Sequence, residues 1–197
     1  MQITGRLLRD VKSYARAHEK KERYRHSLRV AKMCRKMCRI YGLDEKKGYF
    51  AGLAHDICKD FEDGAMLEIC TKDGLGPLCA EEIKKPALLH GRAARYVLLN
   101  EFDVTDEQIL EAVCVHTLGG KGVSKLSMIL FSADKIEPGR PQSTKAYRKN
   151  LCSMPVEKMT LSVLEENFTF LKNKGKTPAL ISLEFADELR KSIREEK

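Results

Sequence analysis

The chain has 197 residues, of which 43% are hydrophobic and 32% are charged, and its formal net charge at pH 7 is +8. This composition is typical of a soluble globular protein, and no apolar stretch approaches the ~20 residues that a transmembrane helix requires. The N-terminal segment carries charges throughout and has no continuous apolar core, so we expect neither a secretory signal nor a membrane partner.

The positive net charge has three explanations: nucleic-acid binding, a small polyanionic substrate, or a solvated basic surface. No RNA-recognition, zinc-finger or KH signature is present, and the basic residues are spread along the chain rather than gathered into one tail. We therefore rank a nucleic-acid partner below the other two explanations.

In chain order, apolar residues at helical spacing predict helices over 4–18, 24–41, 44–55, 65–72, 87–101, 105–116, 124–134, 156–174 and from 178 onward. Asp44 and Ser124 suit the N-caps of two of these helices, and Thr105 with Gln108 has the spacing of a capping box for a third. No alternating strand pattern of useful length is present. The predicted fold class is therefore all-α.

Loops rich in glycine or proline are predicted at 74–77, 117–123 and 138–141, but none of them reads as a domain linker. The sequence has no internal repeat and no low-complexity segment. We therefore predict a single domain over residues 1–197, with a ligand-bearing core at about 20–140 and C-terminal packing helices at about 144–195.

An odd number of cysteines without regular spacing argues against a secreted disulfide scaffold. Cys34 and Cys38 lie one helical turn apart, but no second pair of zinc ligands lies near them in the sequence. We interpret the cysteines as small apolar residues in a reducing cytosol, with a zinc site or redox switch as the alternative. The seven are Cys34, Cys38, Cys58, Cys70, Cys79, Cys114 and Cys152.

Four of the five histidines and two aspartates form the most informative pattern in the chain. Each lies beside an apolar run, and most lie at a predicted helix end, as a site sunk into a helical core requires. Imidazoles and carboxylates in this ratio are the ligands of a pair of metal ions, which indicates a metal-dependent hydrolase that makes a nucleophilic hydroxide. The candidate ligands are His26, His55, Asp56, His90, His116 and Asp134.

Each of these residues taken alone would be a weak signal. A single histidine on an apolar face is usually a hydrogen-bonded core residue, and an adjacent histidine and aspartate occur by chance. The complete ordered set is informative because the adjacent pair can aim two ligands into one cavity. The small residues of the run 51–54, just before His55, would also allow close approach of another helix.

The order H…HD…H…H…D on helices resembles the HD-domain metal-dependent phosphohydrolases. Finer motifs are similar to the YqeK-type branch of that superfamily, and the likeness extends from about residue 20 to about residue 185. The motifs are RYRHS at 23–27, GLAHDICKD at 52–60, ALLHG at 87–91, His116-Thr117 with the glycine loop after it, and ADKIEPGR at 133–140.

The resemblance implies a bacterial, cytoplasmic protein that forms a single HD-domain helical bundle with a metal centre in its core. It implies two divalent or trivalent metal ions, commonly iron, with manganese, cobalt, nickel and zinc as alternatives. The implied reaction is symmetrical hydrolysis of diadenosine tetraphosphate, and of related dinucleoside polyphosphates, to two ADP by a metal-bridging hydroxide. The implied partner is therefore a nucleotide.

The resemblance also implies a division of roles. Asp56 would bridge the two metal ions; His26, His55 and Asp134 would complete one site, and His90 with His116 the other. Basic and hydroxyl side chains near the ligands would bind phosphate, and Lys59 would act in catalysis together with Asp56. The predicted substrate contacts are Arg23, Lys59, Thr117, Lys121 and Arg140.

Two positions depart from the family pattern. Family members usually have an aromatic residue at the position of Lys135, and often a different small residue at that of Cys58. The extra positive charge of Lys135 near a ligand-bearing helix could alter substrate preference.

The residue that stacks on the base is open between Tyr24, Tyr147, Phe168 and an arginine plane.

Two alternative functions stay open at this stage. One is a nucleotide phosphatase or phosphodiesterase of the HD type that acts on another signalling nucleotide. The other is a non-catalytic RNA-binding module that keeps the HD scaffold.

The apolar face of the predicted helix 156–174 is interpreted as core, with a homodimer interface as the alternative.

Overall fold

A computed structural model describes residues 2–78 and 80–195, and these residues form helices and no strand, as the sequence predicts. One 3-10 turn, Pro86–Leu88, precedes the sixth α-helix. In the described residues the α-helices are α1 (Gly5–His18), α2 (Lys21–Ile40), α3 (Glu45–Ala54), α4 (Asp63–Thr71), α5 (Ala80–Lys84), α6 (His90–Glu101), α7 (Glu107–Val115), α8 (Lys125–Ile136), α9 (Lys145–Leu151), α10 (Val156–Asn173) and α11 (Leu180–Glu195).

The helix ends follow local capping chemistry. Asp44 accepts hydrogen bonds from the main-chain N–H groups of Lys46 and Lys47, and Ser124 accepts one at the start of α8, as predicted. The predicted capping box at Thr105 is wrong by one residue. Asp106 is the N-cap of α7, because an aspartate directly before the helix satisfies the same free N–H groups.

The middle of the chain differs most from the prediction. Segment 62–85 was expected to contain one short helix, but it also contains the five-residue helix α5. The helix predicted to begin at residue 87 begins as an α-helix at His90, after the 3-10 turn. This shift places His90 in the first turn of α6 rather than inside a longer helix.

Helix α3 lies at the centre of the bundle and packs against α2, α7 and α8. Gly52 permits its close approach to α2, because a Cβ atom at this position would lie 2.7 Å from the Cα atom of Ala31. A similar contact joins α6 to α7, where a Cβ at Gly91 would lie 2.5 Å from the carbonyl oxygen of Cys114. Both close contacts lie within three residues of a predicted metal ligand.

The C-terminal helices pack onto this arrangement: α10 lies against α8, and α11 lies against α10. The side chain of Ser182 on α11 also donates a hydrogen bond to the carbonyl oxygen of Leu118, in the loop after His116. In the part of the chain that is described, no helix has the length and apolar character needed to cross a membrane. The division into a single ligand-bearing core with packing helices stays a prediction.

Six of the seven cysteines lie in the described residues and have free thiols, whereas Cys79 lies outside them. Cys34, Cys38, Cys58 and Cys70 are buried. Burial raises the pKa of the Cys34 thiol well above its ordinary value. These thiols therefore fill space as apolar side chains do, and no group of metal-ligating atoms among the described residues includes a cysteine.

Candidate metal centre

The fold brings all six predicted ligands into one cluster, which five helices support. His26 lies in the second turn of α2, and His90 is the first residue of α6. His55 and His116 are the residues at which α3 and α7 end. Asp56 follows His55 directly, and Asp134 lies in the last turn of α8. The four histidines and Asp56 are buried, so the cluster lies inside the bundle.

Asp56 lies between two groups of ligands. Its Oδ2 atom is 3.9 Å from Nε2 of His26 and 3.4 Å from Nε2 of His55. Its Oδ1 atom is 3.3 Å from Nε2 of His90 and 3.6 Å from Nε2 of His116. The two oxygens of one carboxylate therefore face two different pairs of histidines.

We name the two groups by their chemistry. The carboxylate side consists of His26, His55 and Asp134, whose ligand atoms lie within 4.8 Å of one another. The imidazole side consists of His90 and His116, whose Nε2 atoms are 3.0 Å apart. Asp56 belongs to both sides.

Each cluster histidine has its Nδ1 atom committed to an acceptor outside the cluster. The Nδ1 atoms of His55, His90 and His116 lie 2.8, 2.7 and 2.7 Å from the carbonyl oxygens of the residues three positions earlier. That of His26 lies 3.2 Å from a carboxylate oxygen of Glu137. These partners only accept, which favours a proton on each Nδ1 and directs each Nε2 lone pair into the cluster. At His90 the ammonium group of Lys59, which only donates, also lies 3.2 Å from Nδ1.

This arrangement places hydrogen-bond acceptor atoms of the cluster next to one another. Nε2 of His26 lies 3.0 Å from Oδ1 of Asp134, and neither atom has a proton to share when the imidazole is neutral. The Nε2 atoms of His26 and His55 are buried without a hydrogen-bond partner. Lone pairs that converge in a buried cavity are stabilised by a cation, so the donor set fits metal ions.

The pKa shifts of His55 and Asp56 agree with the protonation states of metal ligands. His26 differs, because burial would lower its pKa but its contacts with Asp134 and Glu137 raise it. Burial lowers the pKa of His55 to about 4, which keeps the imidazole neutral at physiological pH. Burial alone would raise the pKa of Asp56, but the imidazole of His55 and hydrogen bonds with His116 and His90 hold it well below its ordinary value. Neutral imidazoles beside an ionised carboxylate form a ready ligand set.

Three of the predicted substrate contacts carry positive charge at the cluster. Arg23 donates from NH1 to Oδ2 of Asp56 at 2.9 Å, and Arg140 donates from NH2 to Oδ1 of Asp134 at 2.8 Å. Nζ of Lys59 lies 3.2 Å from Nδ1 of His90. Arg23 and Arg140 keep about a third of their side chains exposed (32% and 37%), so they can meet a ligand from solvent.

Thr117 also lies at the cluster. Its hydroxyl oxygen is 3.1 Å from Nε2 of His90 and 3.3 Å from Nε2 of His116. This hydroxyl is therefore placed on the imidazole side, where it can donate to a ligand oxygen or to a histidine.

The structure does not pair Lys121 with the cluster. Nζ of Lys121 lies 3.1 Å from a carboxylate oxygen of Glu184 on α11, and its side chain is 58% exposed. The main-chain N–H of Gly122, in the same loop, donates to Glu188 at 2.8 Å. Carboxylates of α11 thus contact both groups, and phosphate binding by Lys121 stays a prediction.

Sequence reasoning missed Glu137, which is 1% exposed and contacts His26 of the carboxylate side. Besides its contact with His26, Glu137 accepts two hydrogen bonds from Arg29, at 2.6 and 3.2 Å. Burial would raise the pKa of Glu137, but the guanidinium of Arg29 outweighs it and the net shift is downward. The only signal was the position of Glu137 inside the ADKIEPGR motif, since its side-chain partners His26 and Arg29 lie more than 100 residues earlier. The main-chain N–H of Gly139 also donates to it.

Lys135, the departure from the family pattern, points toward both the ligands and the core. Its Nζ atom lies 3.6 Å from Oδ2 of Asp134 and 3.6 Å from the ring centroid of Phe131. Burial lowers the pKa of this ammonium group, and Asp134 opposes the shift. The predicted extra charge therefore lies directly beside a ligand.

Comparisons with known proteins agree with this site. A sequence model of the HD domain family matches residues 23–139, which is more than half of the chain. A Staphylococcus aureus protein named symmetrical bis(5'-nucleosyl)-tetraphosphatase is 37% identical over 119 residues, covering 60% of this chain and 60% of that relative. A Halalkalibacterium halodurans protein of the same name is 28% identical over 178 residues, covering 87% of this chain and 88% of that relative.

Coverage differs among the relatives. The match spans less than two thirds of the Staphylococcus aureus relative, and it covers 33% of a longer protein from Mycoplasma genitalium. A crystal structure from Clostridium acetobutylicum, described as an HD superfamily hydrolase involved in NAD metabolism, has a TM-score of 0.86 and 30% identity; the match covers 93% of this chain and 97% of that one. With the family match over residues 23–139 and this shared fold, the chain belongs to the HD domain family.

Proposed function

We propose that this chain is a metal-dependent hydrolase that cleaves diadenosine tetraphosphate, and related dinucleoside polyphosphates, symmetrically into nucleoside diphosphates. The observation that carries the proposal is the position of Asp56, whose two oxygens face two different pairs of histidines. A shared carboxylate of this kind suits a pair of metal ions. The names of the Staphylococcus aureus and Halalkalibacterium halodurans relatives support the choice of substrate.

Bound by the six ligands, two metal ions would supply a water that is deprotonated near neutral pH and would neutralise phosphoryl charge. Hydrolysis joins the water oxygen to one of the two central phosphorus atoms. The bond between that phosphorus and the oxygen bridging the central phosphates breaks, so each product is ADP. The role of the protein is to place this bond at the cluster.

The residues around the ligands suit a polyphosphate. Arg23 and Arg140 lie on the carboxylate side, where they contact Asp56 Oδ2 and Asp134 Oδ1, and a planar guanidinium can hold two phosphate oxygens at once. Lys59 lies on the imidazole side, where it contacts His90. Positive groups on both sides favour an extended chain of phosphates over a single terminal phosphate.

We further propose iron as the native metal and the cytoplasm as the location, because the motifs resemble the YqeK-type branch. Imidazole and carboxylate ligands also bind manganese, cobalt, nickel and zinc, so each of these metals belongs in the test. The proposed partner is the nucleotide substrate rather than a nucleic acid.

The test is to incubate anaerobic, metal-loaded protein with diadenosine tetraphosphate and to resolve the products by chromatography. We expect two ADP per substrate and loss of the reaction with a chelator. AMP with ATP would overturn symmetrical cleavage, and free phosphate would favour the nucleotide phosphatase alternative. No turnover with any of the five metals, together with salt-sensitive RNA binding in a gel shift, would favour the binding module.

A further inference from the structure

A cavity of about 580 Å³ lies beside the metal centre, between the end of α8, helix α9 and helix α10. Its volume lies within the range of small-molecule binding sites. Lys135 and Arg140 form a charged part of its lining, whereas Tyr147 and Phe170 form an aromatic part. A lining with both characters suits a ligand that carries phosphate on one side and a flat ring on the other.

The charged part connects the cavity to the metal ligands. Arg140 donates to both the side chain and the main-chain carbonyl of Asp134, at 2.8 and 2.9 Å. Lys135 lies 3.6 Å from the same carboxylate. Since both cations also line the cavity, the cavity adjoins the part of the cluster that Asp134 forms.

The aromatic part is arranged for a flat ligand. The side chain of Phe170 is 58% exposed, whereas Phe168, two residues earlier on the same helix, packs against the core. The hydroxyl group of Tyr147 donates to Glu166, which holds its ring in place. Ile136 and Val163 are buried apolar residues in the lining between these groups. Nucleobases stack on aromatic rings of this kind.

One amide in the lining is available for recognition. The side chain of Asn167 makes no hydrogen bond to another residue in the described ranges, while the amide of Gln142 already donates to the carbonyl oxygen of Lys135 at 3.2 Å. An asparagine amide offers one donor and one acceptor side by side, which is the pairing that adenine accepts.

We propose that this cavity binds a nucleoside of the substrate, with adenine stacked on Tyr147 and Phe170 and its edge paired with Asn167. The identity of the ligand rests on the proposed function, and its location rests on the geometry. The three aromatic residues predicted as stacking partners all pack partly against the core, and of these Tyr147 also lines the cavity.

The first test measures binding rather than turnover. Calorimetric titration of the manganese-loaded protein compares ADP with inorganic pyrophosphate, which has the phosphates but no nucleoside. Phe170→Ala should weaken ADP binding about tenfold and leave pyrophosphate binding unchanged, since loss of one stacking ring costs about this much. Tyr96→Ala, on α6 and outside the cavity lining, is the matched aromatic control and should change neither affinity.

The second test measures base preference. In Asn167→Asp the amide donor is lost, and a carboxylate accepts from the N1–H and amino groups of guanine but not from adenine N1. The ratio of kcat/KM for diadenosine over diguanosine tetraphosphate should fall about tenfold. An unchanged ratio, together with unchanged ADP affinity in Phe170→Ala, would overturn the proposal.

The two proposals fail in different ways. If the wild-type protein cleaves neither dinucleotide, the proposed function is wrong, but the ADP and pyrophosphate titrations still test the cavity. If wild-type hydrolysis proceeds and ADP affinity is the same in Phe170→Ala, only the cavity assignment is wrong.

Discussion

The two sides of the metal centre are built from different chemistry. The carboxylate side has Asp134 as its own anion, and its His26 is oriented by the carboxylate of Glu137. The imidazole side has only histidines, which are oriented by main-chain carbonyls. Because anionic ligands and a carboxylate-bound histidine attract a cation more strongly, we expect the carboxylate side to hold its metal ion more tightly.

The largest effect should come from Asp56, which both sides share. Asp56→Ala should lower kcat by at least about a thousandfold, because it removes the carboxylate that would serve both proposed metal ions. Activity and metal content are measured together, with circular dichroism to show that helix content stays near wild type. Asp60→Ala, which removes a carboxylate that accepts a hydrogen bond from the main-chain N–H of Lys20, is the acidic control. Near-normal turnover in Asp56→Ala would contradict the two-metal assignment.

A change at Glu137 should separate the two sides. In Glu137→Gln the amide can accept fewer of the hydrogen bonds from His26 and Arg29, so the carboxylate side should bind its ion roughly 10- to 100-fold more weakly. Metal titration should show one weakened site and one unchanged site. Glu111→Gln, whose carboxylate accepts from Ser124 and Ser127, serves as the control. Equal weakening of both sites would argue against an asymmetric centre.

Lys59 lies on the imidazole side and tests substrate binding there. Lys59→Ala should lower kcat/KM about tenfold with little change in metal content, because the ammonium group is proposed to contact phosphate and not to bind metal. Steady-state kinetics and metal analysis give both values. Lys20→Ala removes a lysine whose side chain is 84% exposed, and should leave the kinetics unchanged. Unchanged kinetics in Lys59→Ala would remove Lys59 from the site.

An effect on stability rather than on activity concerns Glu19, a carboxyl group close to the carboxylate side. Glu19 is 6% exposed, its Oε1 atom has no hydrogen-bond partner, and Oε2 accepts from Ser27, the residue after His26. Burial raises its pKa from 4.5 to about 7. Between these pH values the native state holds a proton that the unfolded state releases, so the free energy of unfolding falls as pH rises through this window.

Glu19→Gln should therefore stabilise the protein at pH 8 by up to about 3 kcal/mol and have little effect at pH 4.5. Urea denaturation at both pH values measures the difference. Glu62→Gln, an exposed glutamate at the start of α4, should show no pH-dependent change. A stabilisation of the same size at both pH values would mean that ionisation of Glu19 is not its cause.

The sequence alone was sufficient to predict features that depend on residues close together in the chain, such as helices. Helical periodicity predicted most helices, and the ordered histidines and aspartates predicted which side chains meet. The sequence did not predict contacts between segments that are far apart in the chain. Glu137 contacts His26 across 111 positions, and Glu188 of α11 accepts a hydrogen bond from a main-chain N–H of the glycine loop. The predicted N-cap of α7 was wrong for a local reason. Thr105 and Asp106 are both good capping residues, and capping propensity alone does not distinguish them.

The three histidines that bond to the carbonyl three residues earlier have a consequence for metal loading. Their tautomers are fixed by a single turn of the chain, so the protein has little to rearrange when an ion arrives. Imidazole and carboxylate ligands accept several first-row transition metals, so a site prepared in this way would bind whichever of them is available. We expect the metal in a purified sample to reflect the growth medium, so that iron, zinc and mixed preparations of one sequence differ in specific activity.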